Sequence, residues 1–598
     1  MALWCCLLDK GIRFLFHYHF LPGKKLNYLC ITMDRRYFLK TSALGLLFAG
    51  VPGRAALRSG AAESPAPAAV RVRESFDILI KGGTIYDGSG NPGIRGDLGI
   101  RDGRIEATGR NLGRSAGMLV DAGGLAVAPG FIDIHSHTDT NLFRAPKGDS
   151  RIFQGVTTEL GGNCGSAPFV RSDAAWEKRR GPTMYGQPAW RDADGFLAAL
   201  EASGIGINYA TLTGHGNLRN AVVGNRNVRA TDDQIRRMCE ILDRELELGS
   251  IGLSFGLEYA PGCYCDTREM VELCKVVARH DALYTIHMRN EDDHVLEAID
   301  EAIEAARQSG ARLEISHLKA QNPANFDKLP RMLAKIDAAR AEGIDIAFDR
   351  YPYTAFSTGM TNLIPIEYRD GGAAAILSRL DDPSASRAIG DYAVRRMQRY
   401  GGADKVLVAA CSREENKAYS GRNIAECCAL SGMDEWEMVR HLLKTERLGV
   451  NMAVFAMKEE NLRTLYAHPL SMPGSDGAVY SPEKSNGKSL PHPRAYGTFA
   501  RFFEKFVRED RVLDLPTAVR KCTSLPASRM RLKERGLLLP GYAADVTVFD
   551  PSKITDIATY AQPHTLATGI CDVIVNGRAA ILDGKHTGTL AGRCLRLE

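Results

Sequence analysis

The sequence predicts an α/β fold: a (β/α)8 TIM-like barrel, a small β-sandwich domain built from both chain ends, and an inserted subdomain. Three observations carry this. Apolar strand-like runs alternate with amphipathic helical stretches through the middle of the chain. Short alternating runs broken by Gly, Asp and Asn occur near both ends, each too small to bury a sheet alone. The interval from 355 to about 469 is too long for a single crossover helix.

Composition narrows the class first. The 598 residues are 44% hydrophobic and 25% charged, an ordinary globular mixture that excludes fibrous and wholly disordered chains. The formal charge of +5 is spread along the chain, so no nucleic-acid partner is expected. No apolar run reaches the ~20 residues of a membrane span. Fourteen cysteines in this length fall short of a disulfide scaffold.

At the amino terminus, Arg35 and Arg36 precede a short apolar stretch from Ala43 to Val51, the pattern of a twin-arginine export signal. Export machinery of that kind is then an expected partner, and the destination is periplasmic or otherwise exported. Such signals sit at the chain start, so Met33 is the expected initiator, with residues 1–32 not made. Residues 1–74 therefore read as upstream extension, signal and Ala/Pro/Ser-rich linker.

The terminal runs, 76–109 with 545–550 and 572–584, pair into one β-domain spanning 75–128 plus 537–598. Between them, eight runs read as barrel strands: 130–137, 155–162, 207–216, 251–259, 282–289, 312–319, 344–353 and 470–477. Helical stretches such as 231–249 and 294–310 separate them. The barrel is placed at 129–536, with the insertion at about 355–410.

Barrel active sites gather at the carboxyl ends of strands, which is where the polar residues of these runs lie. His135 and His137 close the first, Asn163 and Cys164 follow the second, and His215 the third. Tyr259, His287 and His317 end the next three; Asp349 and Tyr351 are on the seventh and Asp476 on the eighth. A His-x-His pair on a strand puts both imidazoles on one face. Imidazole, thiolate and carboxylate are the usual zinc donors, so His135, His137, Cys164, His287, His317 and Asp476 predict a metal site. Cys263 and Cys265, like Cys427 and Cys428, lack paired CxxC spacing and read as structural thiols. His215 reads as a loop residue near the site, and His280, His294 and His441 as surface or helix-end residues.

From 76 to 598 the chain resembles the D-aminoacylases (N-acyl-D-amino-acid deacylases) of the amidohydrolase superfamily. The segments that carry the resemblance are APGFIDIHSHTD (128–139), GVTTELGGNCG (155–165), EISHLKA (314–320), GSDG (474–477) and HPRAYGTF (492–499). The resemblance implies one tightly held Zn2+ on Cys164, His287 and His317. It implies a second, weaker position on His135, His137 and Asp476, with the sulfur able to bridge. It also implies that Lys319, Tyr259, Tyr351 and Arg494 grip the substrate carboxylate, with Tyr353 a near neighbour of the same phase as Tyr351. Zinc lowers the pKa of water bound to it from 15.7 to about 7. Asp476 would then carry a proton from that water to the leaving amine.

The expected reaction is hydrolysis of an N-acyl-D-amino acid to a carboxylate and a free D-amino acid. One alternative is a cyclic amidase of the hydantoinase or dihydroorotase kind, disfavoured by Cys164 and by HPRAYGTF. The other is an exported metal-binding protein without turnover, disfavoured by Asp476.

Overall fold

The computed structural model describes residues 75–597 apart from 114, 172–189 and 485–488, together with three strands near the start of the chain. Those strands, Leu3–Leu8, Gly11–Phe16 and Leu29–Met33, pair antiparallel as a unit of their own. The twin-arginine segment 34–51 and the linker 52–74 lie outside the described residues.

All eight strand-like runs contain strands: β1 (Phe131–Asp133), β2 (Val156–Gly161), β3 (Asn208–Thr211, continued by Thr213–Gly214), β4 (Gly252–Gly256), β5 (Leu283–His287), β6 (Arg312–Ile315), β7 (Ile346–Arg350) and β8 (Ser471–Pro473). Each pairs in parallel with the next in sequence. Just past β8 the chain meets the end of β1: Ser136 bridges Gly477 in parallel, and the Asp476 amide donates to the His135 carbonyl at 2.7 Å.

Residues of β4 to β7 are buried throughout, as expected for parallel strands covered on both faces. In β5 the period of two sorts them. Tyr284 and Ile286 pack against the helices, whereas Leu283 joins a separate inner cluster with Ile132, Leu212, Ala347 and Met472. His287 shares the phase of Leu283 and so ends the inner face.

The intervening helices follow their sequence signals. Asp232–Glu247 starts at a Thr231–Gln234 capping box and buries Ile235, Met238, Leu242 and Leu246, one stripe at helical spacing. Val295–Ser309 stops at Gly310, whose φ of 76° closes the helix in the left-handed region.

Both ends of the chain contribute to one nine-stranded sheet. Phe76–Ile85 pairs antiparallel with Ile94–Arg101 on one side. On the other it pairs in parallel with Ala116–Asp121 and, further along, with Ala126–Pro129. Ala126–Pro129 then pairs antiparallel with Val546–Phe549, which joins the amino-terminal strands to the carboxyl-terminal ones. Ile78, Leu98, Val127, Val546 and Ile574 share its core. The last residues return to the parallel strands: the Leu595 amide donates to the Tyr209 carbonyl, and Leu595 and Leu597 pack on the inner cluster.

The insertion is longer than the expected 355–410. Its three-stranded antiparallel sheet has Asn451–Val454 in the middle, between Phe356–Gly359 and Val406–Val408. The sheet is complete only after two further helices, Ile424–Ser431 and Glu435–Thr445. This subdomain has its own core, with Ile389, Met397, Val406, Leu442 and Met452.

Candidate active site

Every predicted donor sits at or just past the carboxyl end of a parallel strand. His287 is the final residue of β5, whereas Cys164, His317 and Asp476 lie in the turns after β2, β6 and β8. Those three have φ of 51°, 37° and 49°, a region that side-chain-bearing residues seldom enter. Fixed hydrogen bonds hold each turn: Gly165 N to Ser254 Oγ, His317 N to Asp349 Oδ1, and Asp476 N to His135 O. Gly256 is required beside the first, since a Cβ there would lie 2.0 Å from the Cys164 carbonyl oxygen.

The six donors form one continuous string instead of two separate triads. His137 Nε2 is 3.0 Å from Asp476 Oδ1, which is 3.6 Å from His135 Nε2. Cys164 Sγ stands in the middle, 3.4 Å from His135 Nε2 and 3.5 Å from His317 Nε2. His317 Nε2 is 2.9 Å from His287 Nδ1. Tetrahedral zinc with these ligands separates its donors by about 3.3–3.6 Å, so the contacts around the sulfur already have that spacing.

Electrostatics agree with a cation site. Burial pushes the Cys164 thiol up, but His135 and His317 outweigh it and hold the group well below the usual thiol range. Burial pushes the imidazoles down, yet Asp476 and Cys164 keep His137 at about 9, and Glu291, Cys164 and Glu258 keep His287 at about 10. Thiolate, carboxylate and imidazoles converge where a divalent ion would serve in place of those protons.

Behind the donors lie carboxylates. Asp349 Oδ2 meets His135 Nδ1 at 3.1 Å, Glu291 Oε1 meets His317 Nδ1 at 3.0 Å, and Glu258 Oε2 stands 3.5 Å from His287 Nε2. Ligating histidines commonly use their second nitrogen in this way. Sequence reasoning placed Asp349 on its strand but missed Glu258 and Glu291. The only available signals were their positions next to Tyr259 and four residues after His287.

The expected substrate-gripping residues are partly engaged elsewhere. Lys319 lines the cavity, but its ammonium is already committed, to Glu291 Oε1 and to His317 Nδ1 at 2.7 Å. Arg494 Nη1 lies 2.8 Å from Asp476 Oδ2, and its guanidinium covers the Tyr351 ring at 4.6 Å. Tyr351 and Tyr353 separate cleanly: Tyr351 lines the cavity, while the Tyr353 hydroxyl donates to Asp556 at 2.7 Å. Tyr259 faces Thr358 across the cavity wall, hydroxyl to hydroxyl at 3.4 Å.

These groups line a cavity of about 580 Å³, with Asn163, Ser166, Gln321 and Thr358 adding polar wall. His215 is not among its lining residues; it opens the helix His215–Val222 and binds Glu269 at 2.7 Å. Cys263, Cys265 and Cys427 are buried free thiols, and Cys428 is partly buried.

Comparison with known proteins identifies the family. Residues 118–581 match the amidohydrolase family. The chain is 35% identical to an N-acyl-D-glutamate deacylase of Alcaligenes xylosoxydans xylosoxydans over 531 residues, 88% of this chain and 98% of that protein. It is 34% identical to a D-aminoacylase of the same organism, over 87% of this chain and 98% of the relative. The crystal structure of N-acyl-D-glutamate deacylase from Bordetella bronchiseptica, complexed with zinc and a phosphonate mimic of the tetrahedral intermediate, is 33% identical. It aligns with a TM-score of 0.73 over 87% of this chain and all of that one. The chain belongs to the amidohydrolase family and, within it, to the D-aminoacylases and N-acyl-D-amino-acid deacylases.

Proposed function

We propose that this protein hydrolyses N-acyl-D-amino acids to a carboxylate and a free D-amino acid, with zinc bound by Cys164, His287 and His317. His135, His137 and Asp476 would hold the weaker second position. The observation that carries this reading is the unbroken donor string beside a cavity that Arg494 and Tyr351 also line. The Tyr351 hydroxyl is buried without a hydrogen-bond partner among the described residues, and the Arg494 guanidinium covers its ring while Nη1 pairs with Asp476. A substrate carboxylate would accept from that hydroxyl, and the guanidinium supplies the charge.

Zinc held by these ligands would polarise the amide carbonyl and acidify water beside it. The protein's own groups do the rest. Arg494, Tyr351 and Tyr259 hold the α-carboxylate, while Lys319 acts mainly on Glu291 and His317. Burial pushes the Asp476 carboxyl up, but Arg494 and the neighbouring imidazoles hold it well below its ordinary range, so it is ionised. It accepts the proton that water loses on attacking the carbonyl carbon. It returns that proton to the nitrogen as the C–N bond breaks. The D-preference is drawn from the relatives.

The same reading takes the eight parallel strands as a closed (β/α)8 barrel over 129–536, with the two-ended sheet (75–128 and 537–598) folded as a sandwich. It takes the chain as exported through the twin-arginine route, which cell fractionation with an Arg35→Lys/Arg36→Lys variant tests; unchanged export would refute it.

A panel of N-acetyl-D- and N-acetyl-L-amino acids beside hydantoins, with metal analysis of the same sample, tests the activity. Turnover of hydantoins alone would favour the cyclic amidase. Asp476→Ala should lower kcat by about 10²–10⁴-fold while zinc stays on the tight position; near-normal rates would remove the proton-carrying role.

A further inference from the structure

The two nitrogens of His287 have different surroundings. Nδ1 joins the donor string. Nε2 is buried and has no hydrogen-bond partner among the described residues. Two carboxylates stand near it, Glu258 at 3.5 Å and Glu291 at 4.0 Å. Glu291 already accepts from Lys319 and Gln321 and faces His317. Glu258 is the nearer of the two.

What holds Glu258 comes from the inserted subdomain. Asn362 Nδ2 donates to its Oε2 at 3.3 Å, and Arg369 donates to its backbone carbonyl at 2.8 Å. Arg396 Nη2 faces its Oε1 at 4.0 Å. Arg396 is 9% exposed and fixed along its own helix, Pro383–Tyr400, donating to the Tyr400 hydroxyl at 2.6 Å and the Tyr392 hydroxyl at 3.0 Å. Its remaining neighbour, Asp292 Oδ2, is 3.9 Å away. A guanidinium so enclosed needs anions, and Glu258 is one of the two within reach.

We propose that Glu258 and Arg396 are a positioning pair: the inserted subdomain, through Arg396, holds the Glu258 carboxylate against the outer nitrogen of His287. That contact fixes the ring's orientation and decides which nitrogen is offered to zinc. The proposal rests on the metal-centre reading above and extends it to a subdomain that contributes no ligand.

Zinc affinity of the full chain, measured by competition with a chelating dye and normalised to the folded fraction from circular dichroism, tests it. Glu258→Gln should weaken zinc binding by about 10–100-fold, with KM at saturating zinc near wild type. Arg396→Gln should give a smaller loss, Arg396→Lys should restore most of it, and the double variant should bind no worse than Glu258→Gln alone. Should Arg396→Gln fail to fold, Asn362→Ala reads the same link through its amide on Glu258. Wild-type affinity in Glu258→Gln, or additive losses in the double variant, would overturn the proposal. A wild-type chain that takes up no zinc would instead refute the metal centre itself.

Discussion

His135, Cys164, His317 and Asp476 place donor atoms within 4.8 Å of one another, and so do His215, Cys265 and Glu269 in a second cluster. The residue types are the same and both groups are buried. Their surroundings differ. In the second cluster Arg219 pairs with Glu269, and Arg289 approaches Cys265 Sγ at 3.7 Å. In the first, Arg494 also pairs with Asp476, but the Cys164 sulfur is flanked by two imidazoles. Burial pushes the Cys265 thiol up to about 12, whereas the imidazoles around Cys164 reverse the same pressure. Proximity of donors is therefore a weak guide; what stands against the thiol, imidazoles at Cys164 and a guanidinium at Cys265, separates the two clusters.

The sharpest way to break this comparison is to exchange one thiol at a time. Cys164→Ala should remove bound zinc and essentially all turnover, whereas Cys265→Ala should keep both per folded chain. Zinc loss in the second variant, by metal analysis, would erase the distinction. Next in size is Glu269→Gln, which leaves Arg219 buried without its anion. It should cost about 3–5 kcal/mol in denaturant unfolding while zinc per folded chain stays unchanged.

The smallest effect concerns Glu245, a buried carboxylate whose nearest help is the Ala193 amide at 2.7 Å. Burial pushes it up to about 7. Between about 4.5 and 7 the folded chain keeps a proton that the unfolded chain has lost. Stability from this group is thus full below about 4.5 and falls as pH rises to 7. Glu245→Gln should match wild type near pH 4.5 and exceed it at pH 8, by at most about 3 kcal/mol. Thermal or denaturant unfolding at the two pH values reads this, and an equal gain at both would show that ionisation is not the cause.

Much of the scaffold was legible because parallel strands write themselves plainly. LYTIH in β5 ends an all-buried run on a polar residue, and other runs carry polar residues at or just past the same end. The six donors followed from that rule and the family resemblance. Glu258 and Glu291 did not, because a carboxylate standing behind an imidazole need satisfy no sequence spacing. Lys319 lines the cavity, yet its partner Glu291 lies on another loop and leaves no mark near it. The far limit of the insertion was hidden for a related reason: Asn451–Val454 pairs with Phe356–Gly359 across nearly the whole subdomain.

The ladder between Ala126–Pro129 and Val546–Phe549, with Leu595 bonded back to Tyr209, also governs when the molecule can assemble. In a growing polypeptide the opening strands can pair with one another, but one edge of Ala126–Pro129 stays unpartnered, since Val546–Phe549 is synthesised late. Long-range pairing of this kind delays folding until the chain is released. Nascent chains stopped before residue 546 should remain protease-sensitive around Ala126–Pro129.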